Sequence, residues 1–286
     1  MRLRARGRII TFPRRPLVMG IVNINHDSFS NDGTLNIDEA IARARTHVVE
    51  GADVIDVGGE SARTNRPPIT EKEEIERILP FVERFADCFA DAQPIDQEQL
   101  FPPLLSVNTW RPIVAETLLA AGGDFLNDMS ALATDETAIA AAKYGAALLI
   151  MHSVGLPKQK NTDKFYDDII RTLETFFSEK IAQAEAAGVL EEAIVLDPGI
   201  DFAKQKNDNL RIYRNLDRLG RFERPILLPV SRKTVIGEVL DLPDPNDRDA
   251  GTIACIVAGM RRGGNIFRVH NVHAASQAVR TLWAVR

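Results

Sequence analysis

The chain has 286 residues, 45% hydrophobic and 26% charged, which is enough apolar material for one large core and a length that a single α/β barrel commonly uses. A net charge of −5 excludes a broad nucleic-acid-binding face, whose phosphate partners demand a surplus of cations, so any phosphate recognition must be local. The basic start Met1-Arg2-Leu3-Arg4-Ala5-Arg6 is followed by no apolar stretch of signal-peptide or membrane-span length, so a cytoplasmic protein without a membrane partner is expected. Cys88 and Cys255 show neither CxxC spacing nor a local His pattern, which favours buried free thiols over a disulfide or zinc site.

In chain order, residues 1–16 read as a short hairpin extension that closes the bottom of the domain. Strands are then predicted over 17–23, 53–57, 104–108, 125–129, 147–151, 193–196, 226–230 and 266–269. Helical periodicity comes after each of them, over 37–50, 71–90, 112–121, 134–143, 165–187, 207–219, 248–262 and 272–284. Eight strands, each succeeded by a helix, fit a single (β/α)8 TIM barrel domain over 1–286 better than an open doubly wound sheet, and no strand leads into GxGxxG. The proline-rich connection 91–103 runs from helix to strand and belongs to the bottom face. The loops 25–36, 61–70 and 158–164 come after strands and belong to the top, where a barrel keeps its chemistry.

Nearly every predicted strand ends in a hydrogen-bonding group: Asn23 with Asn25 and Asp27, Glu60-Ser61-Ala62-Arg63, Asn108, Asn127-Asp128, His152, Asp197, Ser231-Arg232-Lys233, and Arg268 with His270. Taken singly, such residues are ordinary surface charges or helix caps, as Asp197-Pro198-Gly199 or Thr109 can be. Gathered on one face, the two cationic clusters suit a phosphate or pyrophosphate. An amide at Asn127, a carboxylate at Asp197 and an ammonium at Lys233 can read the donor and acceptor edge of a flat heterocycle. Arg268 can stack on such a ring while His270 and Asn23 face a phosphate and its metal. The chemistry implied is transfer from a pyrophosphate ester.

These residues sit in motifs that resemble dihydropteroate synthase: Asn23-Ile24-Asn25-His26-Asp27-Ser28-Phe29-Ser30, Gly51 through Ser61, Asn127-Asp128, Met151-His152, Asp197-Pro198-Gly199, Ser231-Arg232-Lys233 and Arg268-Val269-His270. The resemblance implies a barrel that condenses 6-hydroxymethyl-7,8-dihydropterin pyrophosphate with 4-aminobenzoate, releasing pyrophosphate and giving dihydropteroate. Carried over by position, Asn127, Asp197 and Lys233 would bind the pterin, with Asn108 and Met151 beside them, and Arg268 would stack on the ring. Asn23, Arg268 and His270 would hold the pyrophosphate, with Mg2+ at Asn23. Arg63 and Ala62 belong to the second loop that contacts substrate. Phe202, Lys233 and Thr234 would line the aminobenzoate site, where the Thr234 hydroxyl and the helix start after Lys233 can receive a carboxylate. A homodimer through the apolar stretches 250–263 and 274–285 is implied too. Two other readings share the pterin site: a divergent paralogue with weak or no synthase activity, and a methyltetrahydrofolate methyltransferase, which has no use for the pyrophosphate cations.

The departures from the pattern cluster at the active face. Asn108 stands where the family carries aspartate, a loss of charge that costs about 2.7–4 kcal/mol where one pre-organised electrostatic contact disappears. Ala62 replaces a hydroxyl, Asp201 and Ala203 stand at common glycines, His26 replaces a proline, and Asn271 replaces an aspartate. The altered second loop, with Ala62 and Thr64, implies reduced sulfonamide sensitivity. The negative charge that Asn108 lacks is expected from Asp201.

Overall fold

A computed structural model describes residues 1–25, 33–61, 67–155, 157–159, 161 and 164–286. The hairpin β1 (Arg2–Ala5) and β2 (Arg8–Thr11) comes first, followed by β3 (Leu17–Asn23), α1 (Ile37–Val49), β4 (Val54–Gly58) and α2 (Glu71–Arg84). Next come β5 (Leu104–Asn108), α3 (Pro112–Ala121), β6 (Phe125–Asp128), α4 (Glu136–Tyr144), β7 (Ala147–Met151), α5 (Ile169–Ala186), β8 (Ile194–Asp197) and α6 (Lys206–Arg214). The last elements are β9 (Leu227–Leu228), α7 (Thr234–Leu240), α8 (Asp249–Met260), β10 (Ile266–Val269) and α9 (Val272–Ala284). The eight strands after the hairpin form one parallel sheet in the order β8-β7-β6-β5-β4-β3-β10-β9. A parallel bridge between Leu196 and Ile226 brings its two edges together, so the expected barrel is what forms.

The predicted strand over 226–230 shrinks to Leu227–Leu228 because Pro225 and Pro229 flank it, and neither has an N–H to give to a ladder. Helix α2 stops at Arg84, short of the expected 90, and the chain continues as a 3-10 turn over Ala86–Phe89. Helix α5 begins at Ile169 rather than 165, where the Asp168 carboxylate accepts hydrogen bonds from the N–H groups of Ile170 and Arg171. Helix α6 likewise ends at Arg214 and gives way to a 3-10 stretch, Leu216–Phe222. Helix α7 has no counterpart among the expected periodic segments; its seven residues are too few to show a helical period.

Side chains alternate across each strand, so every second residue points into the barrel. The outward set, with Val18, Val22, Ile55, Val57, Leu105, Leu126, Leu148 and Leu228, packs under the helices in one large buried layer. The inward set at the strand starts, with Leu17, Met19, Val54, Leu104, Phe125, Ala147, Val195, Leu227 and Ile266, meets Leu3, Ala5, Ile10 and Phe12 from the hairpin in a second core. The N-terminal hairpin therefore plugs the bottom, as expected. Beside it, Arg15 is 1% exposed and pairs with Asp53 and Asp96, both at 3.6 Å, and with Glu98 at 3.8 Å. The 91–103 connection lies on the same face, where Gln99 donates to the carbonyls of Val48 and Ala52, and the Leu100 N–H donates to Asp53. Both cysteines are free thiols; Cys88 is buried and Cys255, on α8, is half-buried rather than fully so.

Candidate active site

Along most strands, the inward column changes from apolar to polar towards the top, while that of β7 stays apolar through Ala147, Leu149 and Met151. Leu17, Met19 and Ile21 lead to Asn23; Val54 leads to Asp56 and Gly58; Leu104 leads to Ser106 and Asn108; Ile266 leads to Arg268 and His270. Register fixes the rim, because Asn23 lies beside Gly58, Gly58 beside Asn108, and Asn108 beside Asn127. These residues line a pocket of about 260 Å³ at the top of the barrel. Of the expected site residues, Asn23, Asn108, Asn127, Met151, Asp197, Phe202, Lys233, Thr234, Arg268 and His270 all line it. Ala62 and Arg63 lie outside the described residues, as do His26, Asp27 and Thr64 of the same expectations. A wider groove of about 920 Å³ opens at the opposite end of the barrel, where Arg224 pairs with Glu191 at 2.9 Å and Arg262 with Asp217 at 3.4 Å.

The floor of the pocket is organised by Asp56, which sequence reasoning named only as part of a motif. Its buried carboxylate accepts from Ser106 Oγ at 2.5 Å, from Asn127 Nδ2 at 3.1 Å and from Arg268 Nε at 2.7 Å. Asp56 thus orients both the amide expected to read the ring and the guanidinium expected to stack on it. The signal for it was the inward alternation Val54, Asp56, Gly58: a carboxylate pointing into a barrel needs partners there.

Asp197 is 2% exposed at the end of β8, and its Oδ1 accepts from the Gly199 N–H at 2.7 Å. Burial pushes its carboxyl up to about 6 from the usual 3.8, against the opposing pull of that N–H and of Lys233, Lys204 and Arg268. Gly199 has a φ of 69°, and a Cβ there would stand 1.9 Å from the His152 carbonyl oxygen, so only glycine fits the turn. Burial lowers the Lys233 ammonium from the ordinary lysine range, with Asp201 and Asp197 opposing. The Lys233 Nζ donates to the Ile200 carbonyl at 3.0 Å and stands 4.8 Å from the centre of the Phe202 ring. His270 Nδ1 meets Ser231 Oγ at 2.8 Å, which brings Ser231 into the wall as a further site residue.

Three residues grouped with the site by sequence face elsewhere, Asp128 and His152 because successive residues of an extended chain point to opposite sides, and Arg232 because it stands in a turn. Asp128 turns outward and accepts from the Ser130 N–H and from Thr137 Oγ1, anchoring α4. His152 turns outward against Phe176, with ring centres 4.8 Å apart. Arg232, with a φ of 58°, is bound to Asp249 and Asn246 rather than to the pocket, so the cationic cluster contributes one charge, Lys233, and not two. Asn271 caps α9 through the Ala274 N–H and donates to Asp249, a donation an aspartate could not make.

Asp201 keeps the positive φ of a glycine, 67°, and Ala203 does so at 51°. The Asp201 carboxylate accepts from the Thr234 N–H, from the Val235 N–H at 3.3 Å and from Asn209 Nδ2 at 3.0 Å. These bonds offset the strain of the left-handed backbone, and aspartate tolerates that region better than most residues. The amides expected to receive a substrate carboxylate are thus already covered by a carboxylate of the chain itself. On the other side of the pocket, Glu60 is held by Arg111 and Lys158, both at 2.7 Å, and Lys158 also donates to the carbonyls of Ser61 and Pro67.

Residues 19–270 match the sequence profile of the family described as pterin binding enzyme. A dihydropteroate synthase of Synechocystis is 39% identical over 92% of this chain and 88% of its own length, and that of Escherichia coli K12 is 35% identical over 99% and 96%. The chain belongs to the dihydropteroate synthase family. Among solved structures, the Yersinia pestis dihydropteroate synthase in a sulfonamide drug complex superposes with a TM-score of 0.88 at 36% identity, covering 100% of this chain and 99% of that one. The Xanthomonas albilineans dihydropteroate synthase, solved with 4-aminobenzoic acid, gives 0.86 at 33% identity over 100% and 98%. Another structure of the Xanthomonas synthase holds 7,8-dihydropteroate. Among the described residues of this synthase-family chain, no helix is long and apolar enough to cross a membrane.

Proposed function

We infer that this protein is a dihydropteroate synthase, a transferase that joins 6-hydroxymethyl-7,8-dihydropterin pyrophosphate to 4-aminobenzoate and releases pyrophosphate. The observation that carries the reading is the convergence of Asp56, Asn127, Asp197, Lys233 and Arg268 on one pocket in a chain of this family. Asp197 and Asn127 present acceptors and a donor to the edge of the ring, and Lys233 donates to a ring carbonyl or nitrogen. Arg268, held by Asp56, lies flat against the ring and reaches the diphosphate with His270, Ser231 and Asn23. Phe202 and Thr234 bound the slot for the arylamine, whose neutral nitrogen attacks the ring's exocyclic carbon once the carbon–oxygen bond to the diphosphate has ionised. Orientation of the amine and stabilisation of the leaving diphosphate supply the acceleration, so no strong base is required.

Mg2+ belongs to the same proposal. No group of three His, Cys, Asp or Glu able to hold a metal occurs among the described residues, so the protein's own contribution would be the Asn23 amide oxygen. That fits a hard cation bound mainly by substrate phosphates and water. When bound, the ion would neutralise charge on the departing diphosphate. We also propose cytoplasmic residence and a homodimer through α8 and α9, where half-buried Ile253 and Met260 on α8 and exposed Val285 just after α9 leave apolar surface. Purified protein mixed with the two substrates should release one pyrophosphate per dihydropteroate, and should restore growth to a folate-requiring strain lacking its own synthase. Pterin binding with no turnover over long incubation would instead identify a non-catalytic paralogue.

A further inference from the structure

The loop between β8 and α6 forms the Phe202 wall of the pocket, contains no helix or strand of its own, and has three residues at positive φ, Gly199, Asp201 and Ala203. Asp201 ties its pocket side to the amides of Thr234 and Val235, Lys233 holds the Ile200 carbonyl, and beyond Phe202 a second ammonium takes over. Lys204 Nζ reaches His152 Nδ1 at 2.8 Å, the His152 carbonyl at 3.3 Å and the Phe202 carbonyl at 3.0 Å. Three acceptors for three N–H groups satisfy a protonated lysine completely, and they fix the tautomer of the imidazole with Nδ1 as acceptor. The clamp is backed by Tyr166, whose hydroxyl donates to the Ala203 carbonyl at 2.9 Å, and by Phe176 against the imidazole. Lys204 does not line the pocket, but the residue whose carbonyl it holds does.

We propose that Lys204 is a positioning residue for the second substrate: by bridging the loops after β7 and β8 through its ammonium, it holds the Phe202 wall at the spacing an arylamine ring needs beneath Lys233. The inference rests on the synthase reading of the pocket. It separates the two substrates, because the pterin contacts Asn127 and Asp197 stand on strands and Lys233 at the N-cap of α7, whereas Phe202 stands on the clamped loop.

The charge state of the clamp falls within the working pH range. Burial brings the Lys204 ammonium down to about 7, with Lys233 adding repulsion and Asp197, Asp208 and Asp201 opposing. His152 is held neutral, its pKa lowered to about 3 by burial, by Lys204 and by Lys164. Tyr166, pushed up to about 12 by burial, stays protonated and keeps its bond. As pH rises through 7, Lys204 therefore loses the proton that makes it a threefold donor, while His152 and Tyr166 stay neutral.

The test compares wild type, Lys204→Met and Lys204→Arg in steady-state turnover, with pterin pyrophosphate affinity measured separately by calorimetry. We expect Lys204→Met to raise the KM for 4-aminobenzoate about tenfold, with pterin affinity within twofold, and Lys204→Arg to recover most of the loss. In the wild type, the KM for 4-aminobenzoate should rise between pH 6 and 8.5, and Lys204→Arg should flatten that rise, although Lys233 is unchanged in it. Equal loss toward both substrates, or an unaltered pH profile in Lys204→Arg, overturns the proposal even if Lys204→Met proves unstable. Absence of turnover in the wild type would overturn the synthase reading itself, a separate outcome.

Discussion

The two ends of this barrel both bury charge, and they use it oppositely. At the bottom, Arg15 and Asp53 are 1% and 0% exposed, and the Asp53 carboxylate is closed off by the N–H groups of Val18 and Leu100. At the top, Asp56 is equally buried but accepts its hydrogen bonds from Asn127 and Arg268, side chains that line the pocket. Buried charge at one end closes the structure, and at the other it holds binding groups in place. The difference comes from position along the strands: the inward residue at each strand start is apolar and covered by the hairpin, whereas the inward residue at each strand end faces a mouth.

That contrast can be broken at either end. The largest effect should come from Arg15→Met, which leaves the Asp53 carboxylate buried without its cation; burial already raises its pKa, and Arg15 is the main charge opposing that. A loss of about 3–5 kcal/mol in unfolding free energy is expected, with kcat/KM within twofold among molecules that remain folded. Denaturant titration beside turnover decides it, and a large loss of kcat/KM at unchanged stability would erase the division of labour. Lys233→Ala should show the reverse, with kcat/KM falling roughly a hundred- to thousand-fold and the melting temperature barely moving.

A smaller effect concerns pH. The folded Asp197 carboxyl sits near 6 and the unfolded one near 3.8, so the folded state keeps a proton that the unfolded state has given up. Its contribution to stability is full below about 4 and is lost as pH rises through about 6. Binding runs the other way, since a guanidine-like edge needs the anion. Pterin affinity should therefore increase about tenfold from pH 5 to 7, and Asp197→Asn should make the calorimetric profile flat. The smallest effect is expected at Asp201, whose carboxylate covers the Thr234 and Val235 amides in the arylamine slot. Asp201→Asn should lower the KM for 4-aminobenzoate by about threefold, the scale of one weakened electrostatic contact near the surface. If it instead reduces kcat while Asn108→Asp raises it, Asp201 supplies the charge missing at Asn108.

Much of this was legible from the sequence. β3, β5, β7, β10, α3 and α9 begin and end where their apolar patterns do. Ten expected site residues also meet in one pocket, since parallel strands deliver their ends to the same face. What remained hidden needed the third dimension. The reading by strand ends counted Asn127 with Asp128 and Ser231 with Arg232, although one of each pair points away. Asp56 escaped because its importance lies in three partners at sequence separations of 50, 71 and 212 residues. Helix α7 escaped because it is held by Arg248, which donates to the Leu242 and Lys233 carbonyls, and not by any pattern of its own.

The most direct test is a crystal soaked with 6-hydroxymethyl-7,8-dihydropterin pyrophosphate. The ring should lie at the top of the barrel with its edge on Asn127 and Asp197, its face against Arg268, and its diphosphate beside His270, Ser231 and Asn23. Density for the ligand in the groove by Arg224 and Arg262 at the opposite end, with the top pocket empty, would contradict the account.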